Sequence, residues 1–429
     1  MSGEYHIQQV AISEIAERFG TPLYVYDGDV LEQVYQELRG LLTPKVELFY
    51  SLKANPNISI VHLLHELGAR AEVCSMTELH TALEAGVKPE HIIFLGPGKS
   101  AAEIIACVRQ GIYAIVCESF QELERIEAIA AEEGRVVQVA LRINPSFAVK
   151  GSRLTMGGKP RQFGIDENHV IQGKEKFERC SHVDIMGLHV YMGTRMLEVE
   201  PIVQNTRHIL ELAERIEQHL GIKLRMVDVG GGLGVPYHEG EEPLSVGSLT
   251  EQLNPLFDEY KANHPDTRLF MELGRYLVGK SGMLVSRALY VKQSYGETFI
   301  VTDGGTNCHM AAVGIGSYVK RNFPIASLTR YGESPVAEYN ITGPLCTPND
   351  VIGKRVNLPY VAQGDLIGVF HSGAYGPTAS PTHFLSHGSP AEVIVSGGEV
   401  HLIRERDTPQ DMLGKQRLIH VSPSAVTNL

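Results

Sequence analysis

The sequence lacks the features that usually identify secreted, membrane and disulfide-stabilised proteins. No apolar run reaches the roughly 18 residues of a membrane-spanning helix, and the segment from Met1 to Phe19 has no apolar signal core. The six cysteines show neither a CxxC pair nor a metal-ligand spacing. We therefore expect reduced thiols in a cytoplasmic protein, with no bound metal, no secretion signal and no membrane span.

An excess of positive charge is also missing. The formal net charge is −12, which argues against a general nucleic-acid binder. With 43% hydrophobic and 21% charged residues, the chain has the composition of a soluble protein with large cores. Its 429 residues predict two or three structural units, and small-molecule chemistry is the default expectation.

Short apolar runs alternate with helical patterns eight times after the first 45 residues. Eight strand–helix units in roughly 230 residues are typical of a (β/α)8 TIM barrel, an α/β fold. A doubly wound open sheet is the alternative, and the count of eight favours the barrel. The predicted strands are 46–54, 71–75, 92–96, 114–118, 136–144, 185–191, 226–230 and 269–273.

The pattern changes after Gly279, where strands follow one another without long helices. We predict strands at 283–291, 298–303, 337–342 and 366–371, and a hairpin at 391–404. These strands predict an all-β domain, a Greek-key-like barrel or sandwich, that also takes up an isolated strand at 22–26. The predicted division is an N-terminal segment 1–27 that packs with the β domain, a barrel 28–278 and a β domain 279–429.

The first predicted barrel strand ends at a single lysine, Lys53. Because a charged amine is costly to bury, we expect the pKa of Lys53 to fall toward neutrality. A Schiff-base lysine needs that shift, since only the neutral amine attacks a carbonyl. For a lone lysine, a side chain that reaches solvent is the simpler explanation.

Other strand ends carry polar residues and glycines, and the active site of a barrel lies at such ends. Three consecutive glycines can approach a phosphate closely, and Arg275 can add a charge-assisted contact. Glu272 can keep a pyridine nitrogen protonated, and Tyr191 can lie against its ring. Together with Lys53, these residues predict pyridoxal 5'-phosphate (PLP), although each one alone is explained as well by a structural role. The strand-end residues in question are Arg142, His189, Tyr191, Asp228, Gly230, Gly231, Gly232, Glu272, Gly274 and Arg275.

An insertion at residues 146–165 follows the fifth predicted strand. It is rich in glycine and contains Lys150, Arg153, Lys159 and Arg161 but no acidic residue. This composition predicts either a solvated surface loop or a lid that faces an anion at the mouth of the barrel.

These motifs, in order from Tyr24 to about Thr408, resemble the alanine-racemase-fold (type III) PLP-dependent decarboxylases. This is the family of diaminopimelate and ornithine decarboxylases. The segments that carry the resemblance are Tyr-Ser-Leu-Lys-Ala-Asn (50–55), Glu-Val-Cys-Ser (72–75), Leu-Arg-Ile-Asn-Pro (141–145), Gln-Phe-Gly-Ile (162–165), Gly-Leu-His-Val-Tyr-Met-Gly-Thr (187–194), Val-Gly-Gly-Gly (229–232), Glu-Leu-Gly-Arg (272–275), Gly-Pro-Leu-Cys-Thr-Pro-Asn-Asp (343–350) and Ser-Gly-Ala-Tyr-Gly (372–376).

The resemblance implies a role for each matching residue. Lys53 would hold PLP as an imine, and Glu272 would contact the pyridine nitrogen. The resemblance also implies a homodimer with active sites at the subunit interface. Cys346, with Asp350 nearby, would then come from the partner subunit and protonate the carbanion left after carbon dioxide departs. The implied phosphate ligands are Gly230, Gly231, Gly232, Arg275 and Tyr375, and the implied substrate contacts are Arg275, Cys346, Asp350 and Tyr375.

Three departures from the family pattern bear on the substrate. Thr347 stands where diaminopimelate decarboxylases have a glutamate, and Ala311 and Ile315 stand where they have a distal arginine and tyrosine. Because alanine cannot replace a bidentate arginine–carboxylate contact, diaminopimelate is disfavoured. The variant pieces resemble a subgroup from natural-product pathways, above all the enzymes that decarboxylate glutamate attached to an acyl-carrier protein in aminoglycoside side-chain assembly. The basic insertion would then receive the acidic carrier or its phosphopantetheine.

Several alternatives stay open at this point. Decarboxylases of siderophore assembly and of free ornithine, lysine or diaminopimelate share the motifs. A racemase on the same barrel usually places arginine at the pyridine nitrogen and uses a tyrosine acid, so Glu272 and Cys346 favour decarboxylation. A PLP carrier without enzymatic activity would be a lone barrel, and an inactive homologue should lack Lys53 or Cys346.

Overall fold

A computed structural model describes residues 3–147, 154–155 (backbone only), 158–314 and 321–419. Within these residues, eight parallel strands form a closed barrel, because the eighth strand pairs with the first through Leu273 and Tyr50. The predicted barrel is therefore confirmed, and the open doubly wound sheet is wrong. The barrel strands are Val46–Ser51, Arg70–Val73, Ile92–Phe94, Ala114–Cys117, Val137–Asn144, Val183–His189, Met226–Gly231 and Arg268–Leu273.

Both faces of the barrel sheet are buried, which explains why its strands are continuous apolar runs in the sequence. Alternate residues point to opposite faces of a strand. Phe49, Ile93, Val116 and Phe270 form one buried cluster, while residues one position away, such as Tyr50, pack in the larger core shared with the helices.

Helices cover the outside of the barrel and begin and end at residues with clear capping roles. In Ala101–Gln110, for example, Ser100 and Glu103 form a capping box, and Gly111 ends the helix in the left-handed conformation. The helix Val246–Asn263 follows the seventh strand, and Pro255 and Gly247 within it weaken its helical pattern in the sequence. The other helices of this part are Gly28–Leu41, Ile58–Glu66, Met76–Glu84, Phe120–Glu132, Glu167–Gln172, Lys174–Glu178, Val199–Leu220 and Arg275–Val278.

A separate β domain follows the barrel, as predicted. Leu23–Asp27 pairs antiparallel with Gly282–Ser294 and parallel with Ala391–Ser396, so the N-terminal strand does join this domain. The strand Val351–Leu358 was missed because Gly353, Lys354 and Arg355 interrupt its apolar pattern. The remaining strands of the domain are Glu297–Thr302, Ile325–Ser327, Ala337–Thr342, Leu366–Val369 and Glu399–Arg404, and its short helices are Met310–Val313 and Pro409–Leu413.

Smaller elements complete the fold. A hairpin of His6–Ile7 and Val10–Ala11 and the helix Ile12–Phe19 precede the first long strand. Leu154–Thr155 pairs with Gly193–Thr194, which brings part of the insertion to the end of the sixth barrel strand. The exact domain boundaries stay a prediction. In the described part of the chain, every helix is too short or too polar for a membrane span.

Candidate active site

A cavity of about 540 Å³ opens at the C-terminal ends of the barrel strands. We name it the lysine pocket, because Lys53 lies in its wall. The structure brings together seven of the residues singled out in the sequence around it, and they come from both domains. These residues are Lys53, Arg142, His189, Tyr191, Glu272, Arg275 and Tyr375.

Lys53 lies in the single turn Leu52–Ala54 that follows the first strand, and its side chain is 39% exposed. Its Nζ donates to Oε1 of Glu72 at 2.6 Å. Burial lowers the pKa of Lys53, but the charges of Glu72, Cys74 and Glu272 outweigh it, so the pKa lies well above its ordinary value. The expected fall toward neutrality is therefore wrong. Its cause lies on the neighbouring strand, where Glu72 is fully buried and acts as a counter-ion.

Glu272, at the end of the eighth strand, is a buried carboxylate with one free oxygen. Its Oε2 accepts a hydrogen bond from Nε2 of His189 at 3.2 Å, while its Oε1 is buried without a partner among the described residues. Burial raises the pKa of Glu272, but His189, Lys53 and Arg142 lower it by more, so the group stays ionised. A buried anionic oxygen without a partner fits the protonated nitrogen of a pyridine ring.

Asp228 lies beside Glu272, and its pKa is shifted in the opposite direction. Burial and the charge of Glu272 raise the pKa of Asp228 well above its ordinary value, while the N–H of Gly230 donates to its Oδ1 at 2.8 Å. Candidate ligand atoms of His189, Asp228 and Glu272 lie within 4.8 Å of one another, close enough for a small cation. The hydrogen bond between His189 and Glu272 accounts for part of this closeness. Sequence reasoning noted His189 and Asp228 at strand ends but not this network.

The predicted glycine run lies in a very close contact between strands. Gly230 has a φ of 66° and Gly232 a φ of 94°, which side chains rarely adopt. A Cβ atom at Gly231 would overlap the carbonyl oxygen of Glu272, and one at Gly232 would overlap that of Gly193. Glycine is therefore required for the seventh strand to end between its two neighbours.

Arg275 is held beside these glycines by two aromatic rings. Its Nη1 donates to the hydroxyl of Tyr237 at 2.9 Å, and its Cζ lies 4.6 Å from the ring centroid of Tyr375. Its Nε is buried and has no hydrogen-bond partner in the described structure. A small cavity here is lined by Thr194, Gly232, Gly274, Arg275 and Tyr375, among others. An unpartnered guanidinium N–H beside glycines fits a phosphate group.

Two further predicted residues lie on the pocket wall. The ring of Tyr191 has its centroid 5.9 Å from Nζ of Lys53, close enough to face a group bound to the lysine. Arg142 donates to Oε1 of Glu118 at 2.9 Å, and both side chains are buried. The ring of Phe163 lies 4.7 Å from the guanidinium of Arg142, so this arginine is fixed in place before any ligand binds.

Cys346 and Asp350 lie elsewhere, in the segment 343–350 of the β domain, which we name the cysteine loop. Cys346 is exposed, and it is not among the described residues that line the lysine pocket. Asp350 is buried, and both its carboxylate oxygens accept hydrogen bonds from neighbouring backbone or hydroxyl groups. One chain therefore does not bring Cys346 to its own Lys53. Of the substrate-related positions, Ala311 lies in the short helix Met310–Val313, and Ile315 lies outside the described residues.

The barrel fold, the lysine at a strand end and the unpartnered groups around it define a PLP-binding barrel enzyme. Residues 29–279 match the sequence model of the family described as "Pyridoxal-dependent decarboxylase, pyridoxal binding domain". The chain belongs to this family. PLP is its cofactor, and it is a carboxy-lyase, so the racemase and non-enzyme alternatives are set aside.

Individual relatives extend the match over nearly the whole chain. The chain is 37% identical over 415 residues to the L-glutamyl-[BtrI acyl-carrier protein] decarboxylase of Niallia circulans, covering 96% of this chain and 97% of that protein. It is 33% identical over 416 residues to the diaminopimelate decarboxylase of Archaeoglobus fulgidus, covering 96% of each. The crystal structure of diaminopimelate decarboxylase from Helicobacter pylori complexed with L-lysine superposes with a TM-score of 0.84 at 30% identity, covering 94% of this chain and 98% of that one.

Proposed function

We propose that this enzyme removes the α-carboxylate of L-glutamate attached to an acyl-carrier protein, giving a 4-aminobutyryl carrier in an antibiotic or similar natural-product pathway. The observation that carries this proposal is the uncharged character of the distal substrate positions, Thr347 and Ala311. A substrate tethered to a carrier has no charged group at its far end, so it needs no charged residue at these two positions. The 37% identical relative, whose name states this substrate, supports the proposal.

In the proposed mechanism, each residue has one task that follows from its geometry. Bound PLP supplies an electron sink for the electrons of the breaking Cα–carboxylate bond. Lys53 would hold the cofactor, and Glu72, which accepts a hydrogen bond from its Nζ, would balance the charge of the protonated amine. Glu272 would keep the pyridine nitrogen protonated through its Oε1. Tyr191 would face the ring. Gly232, Gly274, Arg275 and Tyr375 line the small cavity that would take the phosphate, and together with the adjoining Gly230 and Gly231 they would hold it.

The final proton is proposed to come from a second copy of the chain. Cys346 is exposed and lies outside its own lysine pocket, which is consistent with a site completed by the partner subunit. In that homodimer the thiol donates its proton to Cα, becomes a thiolate and regains a proton from solvent.

The six free cysteines agree with the predicted cytoplasmic location.

A free diamino acid is the second candidate substrate, because the diaminopimelate decarboxylase of Archaeoglobus fulgidus is 33% identical over almost the whole chain. Decarboxylation in siderophore assembly belongs to this second candidate as well. The discriminating experiment measures carbon dioxide release from free glutamate, ornithine, lysine, diaminopimelate and carrier-linked glutamate under identical conditions. We expect the highest kcat/KM for the carrier-linked substrate. Faster turnover of any free amino acid would refute the proposed substrate while leaving the decarboxylase assignment intact.

A further inference from the structure

The cysteine loop is held by one buried carboxylate, that of Asp350, which is only 3% exposed. Its Oδ1 accepts hydrogen bonds from the backbone N–H of Thr306 at 2.6 Å and from the Thr306 hydroxyl at 2.8 Å. Its Oδ2 accepts from the backbone N–H of Leu345 at 2.7 Å. Leu345 directly precedes Cys346, so one end of this clamp lies a single residue from the thiol.

The backbone of the loop closes around the same residue. The N–H of Gly343 donates to the carbonyl of Asp350 at 3.1 Å, and the N–H of Asp350 donates to the carbonyl of Thr347 at 3.2 Å. A Cβ atom at Gly305 or Gly343 would overlap the carboxylate oxygens of Asp350. The carboxylate is thus enclosed by protein on both sides, which leaves no room for a substrate atom.

The tip of the loop has little apolar packing to hold it. Cys346, Pro348 and Asn349 are exposed, whereas Leu345 is buried beneath them. Because hydrogen bonds to a charged acceptor are stronger than neutral ones, the clamp is the main restraint on the position of the thiol.

We propose that Asp350 is a positioning residue that fixes the Sγ atom of Cys346 for proton delivery, instead of contacting the substrate as the sequence suggested. This inference rests on the proposed function, in which Cys346 protonates Cα in the pocket of the partner subunit. A displaced thiol leaves Cα unprotonated for longer. Protonation on the cofactor side then leaves the amino group on the cofactor, and addition of water releases the product as an aldehyde.

The test is Asp350→Asn in the full-length, PLP-loaded enzyme. Asparagine keeps the shape but turns one acceptor oxygen into a donor, so one N–H of the clamp loses its partner. We expect unchanged cofactor absorption, a decarboxylation rate lowered roughly tenfold to hundredfold, and a larger fraction of aldehyde product. In a Cys346→Ala background, the same substitution should lower the rate by less than about twofold, because the two changes act on one step.

Asp365→Asn is the matched control, since Asp365 is also buried in the β domain and accepts the backbone N–H of Ala362 at 2.7 Å. It should lower the melting temperature without changing the product ratio. Thr306→Val removes only the hydroxyl donor and should raise the fraction of aldehyde product by a smaller amount. If Asp350→Asn does not fold, Thr306→Val takes its place as the test. A normal product ratio in Asp350→Asn, or an equal loss of rate in the Cys346→Ala background, would overturn the proposal.

A second measurement separates this inference from the proposed function. If Cys346→Ala retains full decarboxylase activity, the assignment of the acid fails. The clamp is then tested by the rate at which iodoacetamide alkylates Cys346, with the modified peptide mapped by mass spectrometry. Asp350→Asn should change that rate at least about threefold, in keeping with the loss of a charge-assisted restraint. An unchanged rate would refute the clamp.

Discussion

The lysine pocket and the cysteine loop both contain buried carboxylates, but the two regions use them in opposite ways. Around Lys53, several buried polar atoms lack hydrogen-bond partners in the described structure, among them Oε1 of Glu272, Oε2 of Glu72 and Nε of Arg275. In the cysteine loop, both oxygens of Asp350 accept hydrogen bonds. A buried polar group without a partner costs about 1–3 kcal/mol, so the first pattern indicates a binding site and the second a structural clamp.

The two regions also differ in whether one chain brings their residues together. Residues of the lysine pocket converge within a single chain, whereas Cys346 is exposed and is not among the described residues that line that pocket. The following experiments test this division, beginning with the largest expected effect.

Mixing two inactive variants tests whether the pocket and the loop act across subunits. Lys53→Ala should lower decarboxylation by roughly 10⁴-fold or more, because it removes the nucleophile. Cys346→Ala should lower it by roughly 10²- to 10⁴-fold, the usual contribution of a general acid. When the two are mixed and allowed to exchange subunits, the heterodimer carries one intact site, so about a quarter of wild-type activity should return. Either variant alone, treated identically, is the control, and no recovery would contradict the shared site.

The neighbouring carboxyl groups at the bottom of the lysine pocket should respond differently to the same substitution. Glu272→Gln removes a buried negative charge and should lower kcat roughly 10²- to 10³-fold, with a changed cofactor spectrum. Asp228→Asn is the matched variant. Because the pKa of Asp228 is raised, the group is expected to be protonated, and asparagine preserves one acceptor and one donor. Its kcat should fall by less than about tenfold. If steady-state kinetics show an equal loss of kcat in the two variants, the difference in charge between Glu272 and Asp228 is contradicted.

Glu72 should control how PLP attaches to the cofactor-free protein. Because the pKa of Lys53 is raised, its neutral fraction at pH 7–9 is small, and the attachment rate should rise about tenfold per pH unit. Glu72→Gln removes the strongest charge that raises this pKa, so the rate profile should shift to lower pH. Attachment at pH 8 should then be roughly tenfold faster. Absorbance stopped-flow measures this rate, and Glu103→Gln is the control, since Glu103 lines the pocket but binds Ser100. An unshifted profile would rule out Glu72 as the counter-ion.

The smallest effect is expected at the basic insertion, of which Arg161 is exposed and Arg153 lies outside the described residues. The double substitution Arg153→Glu and Arg161→Glu should raise KM for a carrier-linked substrate about threefold to tenfold at low salt and leave kcat unchanged. Arg179→Glu, at an exposed arginine outside the insertion, should have no effect. If the double variant turns over the carrier-linked substrate with unchanged kinetics, the insertion does not take part in carrier recognition.

Local patterns in the sequence predicted much of the architecture. The barrel strands, the helices such as Ala101–Gln110 and the pairing of Leu23–Asp27 with the β domain follow from hydrophobic periodicity and capping residues. The strand Val351–Leu358 was missed, because glycine and charged residues interrupt its apolar pattern.

The sequence likewise predicted only part of the candidate site. Residues at strand ends, such as Lys53 and Glu272, could be found because a closed barrel places every strand end around one opening. The partners that set their charges could not be found in this way, because Glu72 and His189 reach them from other strands of the barrel. That is why the expected pKa of Lys53 was wrong in direction.

By itself, the amino-acid sequence determined the fold class, the cofactor and the type of reaction, because periodicity and the order of short motifs depend only on neighbouring residues. Tertiary structure decided the charge states in the lysine pocket and the enclosure of Asp350. Both depend on distances between residues far apart in the chain, such as Thr306 and Asp350, and electrostatic interactions change steeply with such distances and with burial.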